Sequence, residues 1–375
     1  LGLVTFGRDV SRAELLDGYD AVIYAVGASE DLRMGVEGED AVGSRSAREF
    51  VAWYSGHPDA ERQSLHGVRQ AVAVGVGNVA VDVARILAKE PLALDTTDMP
   101  ENVLAELRRA QVSDVWVIGR RGPQHASFTT TELRELCSTP GVRVTVEPDS
   151  FEWIDEDLLD RRSRTNLAVL RSANDNHVLN PRVRLHFLFW RRPVAVQGDP
   201  VTGLVLERTV IGPDGRVAGT GETEELSVQL VLRAIGYRAT RLPGVPFDDS
   251  VGVIPSVHGR VVDAGEVSPR EYVVGWIKRG PVGVIGTNKS DAKETVERVL
   301  ADLAELQPRA DRADPVDTLA ARGFHPSTFE DWRRLEIAEA SRGASHDRER
   351  MKIEAWHELL DLVQRERPGG PIPAG

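Results

Sequence analysis

The sequence has 375 residues, a length that suits two domains, and its formal net charge of −12 argues against broad nucleic-acid binding, which needs a basic face. The single cysteine, Cys137, rules out a disulfide within the chain and a multi-cysteine metal or iron–sulfur site, and it suits a reducing cytoplasm. No apolar stretch in the sequence reaches the length of a membrane span, and we expect no metal site.

The N-terminal half alternates strand patterns with helical patterns. The strand patterns are residues 21–27, 68–74, 115–118 and 142–146. A glycine turn and a helix over 78–89 follow the second strand, and an inserted stretch, residues 90–112, has its own helical pattern around 103–109. This alternation predicts an α/β fold with a parallel sheet that helices cover on both faces.

The next region changes character. Its shorter strand patterns are residues 185–190, 202–211, 215–219 and 226–232. A strand over 272–276, a glycine-rich loop over 280–286 and a helix over 290–306 come next. Beyond a linker, the C-terminal part has two further helical patterns, over 328–340 and 349–364. We expect turns such as Pro213-Asp214-Gly215 to join the short strands as hairpins.

The sequence Gly75-Val76-Gly77-Asn78-Val79-Ala80 lies between the second strand and its helix and has the spacing G-x-G-x-x-A. The first glycine permits a tight turn, the second lets the backbone approach a pyrophosphate, and Ala80 lets helix and strand pack closely. The free amides at the helix start then face the phosphates. A packing turn of small residues is the alternative, but the strand-to-helix position favours nucleotide binding.

The third strand ends in Gly119-Arg120-Arg121-Gly122-Pro123, where NAD sites usually place a carboxylate for the ribose 2′-hydroxyl. Two guanidinium groups instead match the oxygens of a 2′-phosphate, which favours NADP, although solvated arginines are the alternative. Farther along, Thr129 and Glu132 have the spacing of a capping box, and Glu135 follows one turn later. On spacing alone, both glutamates are structural residues.

Three glycines, Gly280, Gly283 and Gly286, fall within seven residues directly before a predicted helix. A plain strand-to-helix connection is one explanation. Close approach of the backbone to a planar ligand explains this density of glycine better.

Taken together, these segments resemble the adrenodoxin reductase family of ferredoxin–NADP reductases, of the mycobacterial flavoprotein type. The matching segments are SAREFVAWYSGHP at 46–58, GNVAVDVARIL at 77–87, GRRGP at 119–123, GWIKRGPVGVIGTNK at 275–289, and the C-terminal residues Trp332, Glu336, Gly343, Arg348 and Lys352. The resemblance covers nearly the whole chain.

The resemblance implies two Rossmann-like domains, with an NADP domain inserted into a discontinuous FAD domain. The expected boundaries are a remnant of the first FAD segment over 1–28, the NADP domain over 29–238, and the second FAD segment with a helical tail over 239–375. The implied reaction is transfer of a hydride from NADPH to FAD, and then of single electrons to a ferredoxin-like iron–sulfur protein. The implied cofactors are FAD and NADP.

The family also implies roles for particular residues. Arg120 and Arg121 would hold the 2′-phosphate, Glu132 would lie near the nucleotide, and Glu135 would be the catalytic residue, near flavin and nicotinamide. Besides the turn glycines Gly75 and Gly77, the remaining cofactor-binding residues would be Asn78, Val79, Trp276, Gly283, Val284 and Ile285. A helix from Ser290 would direct the positive end of its dipole at the flavin.

The sequence departs from the family in several places. The family's N-terminal strand, its G-x-G-x-x-G turn and its helix, which bind the ADP half of FAD, do not occur in it, so we expect the sequence to start inside the first domain. Further along, Val282 replaces a usual threonine, Gln124-His125 replaces a usual Leu-Gln, and Val76 replaces a common polar residue.

Other functions remain possible on the sequence alone. They are an NADPH-binding fragment without flavin, a related flavin enzyme with a quinone acceptor, and a nucleotide-sensing interaction module. A disulfide substrate is excluded because the chain has no cysteine pair. For an acidic iron–sulfur partner, the candidate basic patches are Arg161, Arg162 and Arg164, and Arg191 with Arg192, although solvated faces are the more frequent outcome.

Overall fold

A computed structural model describes residues 2–152, 154–283, 285–307 and 314–364. The strands are β1 (Val22–Tyr24), β2 (Glu30–Asp31), β3 (Ser44–Ser46), β4 (Gln70–Val74), β5 (Asp114–Gly119), β6 (Val142–Val146), β7 (Val183–Phe189), β8 (Arg191–Gln197), β9 (Gly203–Ile211), β10 (Val217–Ser227), β11 (Leu230–Arg233), β12 (Tyr237–Arg238), β13 (Ser256–Val257), β14 (Arg260–Asp263) and β15 (Glu266–Val273). The helices are α1 (Arg12–Gly18), α2 (Ala47–Tyr54), α3 (Asn78–Ala88), α4 (Glu101–Arg109), α5 (Thr130–Cys137), α6 (Arg161–Asp175), α7 (Trp276–Arg279), α8 (Ile285–Leu303), α9 (Pro315–Ala321), α10 (Phe329–Ala344) and α11 (Trp356–Gln364).

The chain forms two compact units, which we call the outer unit and the inserted unit. The outer unit comprises Leu1–Leu32 and Gly236–Trp332, and the inserted unit comprises Arg33–Ile235 and Arg333–Gly375. The predicted α/β class with two units is confirmed, and the segment Arg33–Ile235 interrupts the outer unit as expected. The inserted unit is itself discontinuous, because it also includes the segment from Arg333 onward. The domain boundaries at residues 28 and 238 concern which cofactor each part binds, and they stay a prediction.

The inserted unit is built on a six-stranded sheet with the order β3-β11-β4-β5-β7-β6, in which every neighbouring pair is parallel. Because β4, β5 and β7 are buried in the middle, they consist largely of Val, Ala, Ile, Leu and Phe, as expected for the centre of a parallel sheet. The carboxyl ends of β4 and β5 are adjacent, with Val74 opposite Ile118. This edge carries the glycine turn and the arginine pair.

Helices α2 to α6 cover one face of this sheet and contribute to one apolar cluster, with small residues of α3 such as Ala80 and Ala84 fully buried. The other face is covered by the antiparallel sheet β10-β9-β8, whose Leu204 and Leu206 pack with Val74 and Ile118. The prediction of helices on both faces is therefore wrong for this unit. Apolar residues alternate along β9, so one face of this strand packs against the parallel sheet in the place where a helix was expected.

The outer unit contains the sheet β1-β15-β14-β13, in which β1 and β15 are parallel and the other pairs antiparallel. Its apolar cluster includes Val22, Ile254 and Val273. Below that cluster the fully buried carboxylate of Glu271 accepts hydrogen bonds from Arg12 at 2.8 Å and from the Tyr24 hydroxyl at 2.6 Å. These bonds compensate the cost of burying a charge.

Several predicted boundaries need correction. The strand expected over 272–276 is β15, which ends at Val273, so that Trp276 begins helix α7. Helix α8 begins at Ile285 rather than Ser290, which places Gly286 in its first turn. The segment around 185–190 is not a short hairpin strand but β7, a central member of the parallel sheet. No helix in the described ranges has the length and apolar character that spanning a membrane would need.

A buried carboxylate at the amino end of β5 gives a test of the inserted unit. Asp114 accepts two bonds of 2.6 Å from Arg184 and one of 2.9 Å shared with His186. Burial alone would raise the pKa of Asp114, but the bonds from Arg184 and His186 outweigh it and lower the pKa to about 2. The stabilisation is therefore present above the unfolded pKa of 3.8 and is lost as pH falls through about 2.

We expect Asp114→Asn to lower the free energy of unfolding at pH 7 by about 2 kcal/mol, because charged hydrogen bonds are replaced by neutral ones. Urea unfolding followed by circular dichroism measures this loss, which should shrink between pH 4 and pH 2. Glu222→Gln, which changes an exposed carboxylate on β10, serves as the control and should have little effect. A loss that is the same at every pH would contradict the interpretation.

Candidate functional site

The glycine turn follows β4 as predicted, and its geometry requires glycine at its first position. Gly75 has φ +133°, and a Cβ there would collide with the backbone carbonyl oxygen of Ala234, directly after β11. Its amide donates to the carbonyl of Ile118 at 2.9 Å, which joins the turn to β5. The turn is therefore held on both sides by neighbouring strands of the sheet.

Helix α3 begins directly after this turn with its first amides available. Gly77 is the N-cap and has no side chain to accept from them, and the first turn of the helix has no acidic residue. A helix start of this kind provides backbone N–H groups and a positive dipole end for an anion. The pyrophosphate of a dinucleotide is an anion that these N–H groups could bind.

Asn78 ties the turn to the next functional segment. Its Oδ1 accepts from the amide of Thr129 at 2.8 Å, and Thr129 caps helix α5. The amide of Ser127 donates to the carbonyl of Val76 at 2.9 Å. Val76 itself lies against Gly119, where a Cβ would approach its Cγ1 to 2.8 Å, so an apolar side chain at 76 fills the space beside the end of β5.

Arg120 and Arg121 follow β5 and are both exposed. Their carbonyl groups are fixed, since the Thr209 hydroxyl donates to Arg120 O at 2.9 Å and the Trp190 amide donates to Arg121 O at 3.4 Å. Within the described ranges, neither guanidinium group has a hydrogen bond or an ion pair. Anchored backbones with two free guanidinium groups suit a bound phosphate.

The second predicted basic patch is wrong. Arg191 is buried and pairs with Glu224 and, at 3.4 Å, with Glu147, while Arg192 pairs with Glu207 at 2.6 Å. Both positive charges are neutralised by carboxylates, two of them on the neighbouring strands β9 and β10. By contrast, Arg161, Arg162 and Arg164 are exposed at the start of α6 and form no ion pair in the described part of the chain. The hydrogen bonds from Ser163, and then the charge of Arg162, lower the pKa of the helix cap Asp160.

Glu132 and Glu135 lie on α5 and share a partner that the sequence did not single out. Arg85 of α3 lies 3.0 Å from Glu132, 2.6 Å from Glu135 and 2.6 Å from Asp82. Burial, together with the charges of the two glutamates, raises the pKa of Asp82. The i,i+3 spacing of Asp82 and Arg85 indicates their pairing in the sequence. No local pattern in the sequence indicates the contacts of Arg85 with Glu132 and Glu135 on α5.

The Trp276 loop of the outer unit has the features of a ligand cradle. Gly275 has φ +75°, and its amide donates to Asp291 of α8 at 2.5 Å. Trp276 stacks on Tyr237 with ring centroids 5.8 Å apart, and its indole N–H is buried without a partner among the described atoms. A buried donor without an acceptor is costly, so this group suits a bound acceptor such as a flavin carbonyl.

The space beside this loop is open. A Cβ added at Gly275, Gly280 or Gly286 would meet no atom within 4 Å. Gly283 has φ +95°, which favours glycine, while Val284 lies outside the described residues and Ile285 is described only as the first residue of α8. The residues that are present fit a planar cofactor.

An ion cluster braces the loop against α8. Lys278 lies 2.9 Å from Asp291 and 2.7 Å from Glu294. Burial would lower the pKa of Lys278, but the bonds to Glu294 and Asp291 raise it, so the ammonium stays charged. Among the described residues, no group of three or more His, Cys, Asp and Glu side chains could hold a metal ion.

Comparison with known proteins gives close relatives but no match to a family model. The NADPH-ferredoxin reductase FprA of Mycobacterium tuberculosis is 44% identical over 379 residues, which covers 96% of this chain and 82% of the relative. The mitochondrial NADPH:adrenodoxin oxidoreductase of Bos taurus is 37% identical over 385 residues, covering 96% and 77%. The solved structure of M. tuberculosis FprA in complex with NADPH superimposes with a TM-score of 0.88 at 43% identity, covering 96% and 82%.

The glycine turn predicts a sharp difference between two glycine substitutions. Gly75→Ala combines an unfavourable φ with a collision against Ala234, so we expect it to cost about 3 kcal/mol or more of stability. We also expect it to abolish measurable NADP⁺ binding. Thermal unfolding and isothermal titration calorimetry measure the two effects.

Gly67→Ala is the matched control, since Gly67 also has a positive φ, +78°, but a Cβ there would meet no atom within 4 Å. It should cost about 1 kcal/mol and leave NADP⁺ binding intact. Equal effects of the two substitutions would show that the contact with Ala234 does not shape the site.

Proposed function

The chain belongs to the family of NADPH-dependent ferredoxin and adrenodoxin reductases, and we propose that its glycine turn, its arginine pair and its Trp276 loop hold the two cofactors of that family. It is an oxidoreductase that uses NADP and FAD. When bound, FAD supplies the redox chemistry by taking a hydride from NADPH and passing single electrons to a small iron–sulfur protein. The residues of the chain would bind the two cofactors, orient them and handle the proton.

The observation that carries the NADP assignment is the pair of unpaired arginines beside the glycine turn. Arg120 and Arg121 would bind the 2′-phosphate through charged hydrogen bonds. The first amides of α3, at Asn78 and Val79, would bind the pyrophosphate, with Gly75 and Gly77 allowing its approach. The link from Asn78 to Thr129 would keep the two halves of this nucleotide site in register.

In the outer unit, the Trp276 loop would bind FAD. The indole N–H of Trp276 would donate to an acceptor of the cofactor, and the backbone at Gly283, Val284 and Ile285 would approach the ring. The start of α8 would favour negative charge on the reduced cofactor. The bracing of Gly275 by Asp291 supports this assignment, because it fixes the loop that carries the donor.

Glu135 would act in proton handling beside the nicotinamide, and Glu132 would orient the nucleotide. Arg85 supports both roles, since it holds the two carboxylates on one guanidinium. For the domains, we propose an NADP domain over residues 29–238 and a FAD domain over residues 1–28 and 239–375. The segment from Arg333 onward groups with the inserted unit, although these boundaries assign it to the FAD domain.

The partner would be a ferredoxin-like iron–sulfur protein, since the names of the relatives give ferredoxin and adrenodoxin as the partners of those proteins. We propose that its surface is acidic. Arg161, Arg162 and Arg164 support a docking surface at the start of α6, because the complementary charges would steer the encounter. We further propose a cytoplasmic location. The single cysteine supports it, since the chain can form no internal disulfide.

The function is tested by anaerobic titration of the FAD-loaded protein with NADPH while the flavin absorbance is recorded, followed by addition of an oxidised ferredoxin. We expect NADPH to bleach the band and ferredoxin to restore it. In Arg120→Ala/Arg121→Ala, the affinity for NADP⁺ should fall at least about a hundredfold while that for NAD⁺ changes little, because charged hydrogen bonds to the 2′-phosphate are lost.

Arg109→Ala, which removes an exposed arginine at the end of α4, is the control for the arginine variant and should bind both nucleotides as the unmodified protein does. Equal losses for NADP⁺ and NAD⁺ would contradict the 2′-phosphate assignment. No bleaching of the FAD-loaded protein by NADPH would contradict the function itself.

The role of the Trp276 indole has its own test. Trp276→Phe keeps the stacked ring but removes the N–H donor, so we expect the dissociation constant for FAD to rise about fivefold, the effect of one neutral hydrogen bond. Equilibrium dialysis with added FAD measures it. Trp356→Phe, whose indole donates to Asp59 at 2.6 Å in the inserted unit, should leave FAD binding unchanged. Unaltered FAD affinity in Trp276→Phe would remove the indole N–H from the site.

A further inference from the structure

His125 follows the arginine pair in the sequence and also lies near it in the structure. Residues Pro123–His125 form one 3₁₀ turn, in which the amide of His125 donates to the carbonyl of Gly122 at 3.0 Å. Residues three apart eclipse in such a turn, so His125 folds back over Gly122, beside Arg121. The imidazole is exposed and has no hydrogen bond or ion pair with any described residue.

The backbone around His125 is fixed on both sides. Gly122 packs under Trp190, where a Cβ would come within 2.7 Å of the indole ring, and the amide of Trp190 donates to Arg121 O. After the turn, Ser127 donates to Val76 in the glycine turn. His125 is therefore held between the arginine pair and the turn that would take the pyrophosphate.

The charge around His125 is positive. Partial burial, and then the charge of Arg121, lower the pKa of His125 below its ordinary value of 6.5. Helix α6 packs against the 3₁₀ turn, and its first turn carries Arg161, Arg162 and Arg164 but no acidic residue. The cap of α6, Asp160, is a carboxylate, and it accepts from the Ser163 amide at 2.7 Å.

The carboxylates on the other neighbouring elements have cationic partners of their own. Glu132, on α5, is bound to Arg85. The remaining pairs join Arg191 of β8 to Glu147 and Glu224, Arg192 to Glu207, and Arg208 of β9 to Asp149. Among the described residues, Arg120, Arg121 and His125 form no ion pair, so a ligand anion is a counter-charge that suits these three side chains.

We propose that His125 is a third ligand of the 2′-phosphate, and that its protonation makes the preference for phosphorylated over unphosphorylated nucleotides increase as pH falls. This inference rests on the proposed NADP site and names a residue that tunes its specificity. A dianion next to the imidazole stabilises its charged form, whereas Arg121 destabilises it in the free protein. Binding the 2′-phosphate therefore raises the pKa of His125 and takes up a proton.

The direction with pH follows from that linkage. At pH values well above both pKa values the imidazole is neutral in the free and the bound protein, so it adds no charge to the site. As pH falls toward 6.5 the bound form gains its proton before the free form does, and affinity for the 2′-phosphate rises. An exposed charge pair contributes at most about fivefold. That full factor is reached only below both pKa values, so down to pH 6.5 we expect an increase of about twofold.

The test uses two nucleotides that differ only in the 2′-phosphate, adenosine 2′,5′-bisphosphate and adenosine 5′-monophosphate. Isothermal titration calorimetry of the full chain, with or without FAD, gives both affinities at pH 6.5, 7.0, 7.5 and 8.0 at constant ionic strength. Repeating the titrations in buffers of different ionisation enthalpy gives the proton uptake. Relative to the variant His125→Gln, the ratio of the two affinities is expected to rise about twofold from pH 8 to pH 6.5.

His125→Gln keeps a hydrogen-bonding side chain but cannot titrate, so its ratio should follow only the ionisation of the phosphate and its proton uptake should fall. His66→Gln, which changes an exposed histidine before the amino end of β4, should behave as the unmodified protein. A variant His125→Gln whose ratio changes with pH as that of the unmodified protein does would overturn the inference while leaving the NADP site in place. No preference for the bisphosphate at any pH would overturn the proposed NADP site as well.

Discussion

The close approach of Gly75 to the carbonyl of Ala234 is the contact on which the nucleotide site depends. Because Gly75 has no side chain, β4 can turn directly into α3 while the end of the neighbouring strand β11 stays in contact with the turn. Because α3 must then start at the carboxyl edge of the sheet, its free amides lie beside the end of β5, where Arg120 and Arg121 begin. A bulkier turn would move the helix start away from that edge, and the phosphate-binding groups would no longer converge.

The distribution of charge separates the arginines that stabilise the fold from those that we propose to bind a ligand. The chain has a net charge of −12, so carboxylates outnumber cationic side chains. Arginines such as Arg191, Arg192 and Arg85 form ion pairs with these carboxylates. An arginine that stays unpaired in such a molecule has not been placed to stabilise the fold. Arg120 and Arg121 are unpaired within the described ranges, and they stand where the nucleotide chemistry requires a positive charge.

The parts of the site that could be predicted from sequence are those formed by short runs of residues. The glycine turn and the arginine pair lie within a few residues of a strand end, so their spacing carries the geometry. The cluster around Arg85 could not be predicted in the same way, because Glu132 and Glu135 reach Arg85 through the packing of α5 on α3. Arg191 and Arg192 looked like a basic patch for a similar reason, since Glu224 and Glu207 pair with them only across strands.

The same distinction explains the corrections to the fold. Residues 185–190 are apolar whether they belong to a hairpin or to the centre of a parallel sheet, and only the pairing of β7 with β5 and β6 separates the two. The position of the antiparallel sheet β8 to β10 could not be predicted either, because the sequence does not show which face of the parallel sheet is left without helices. The residues that we propose to contact a ligand are thus easier to recognise from sequence than the residues that hold them in place. One example is Asp291, which holds Gly275 from sixteen residues away while appearing in the sequence as an ordinary acidic residue on a helix.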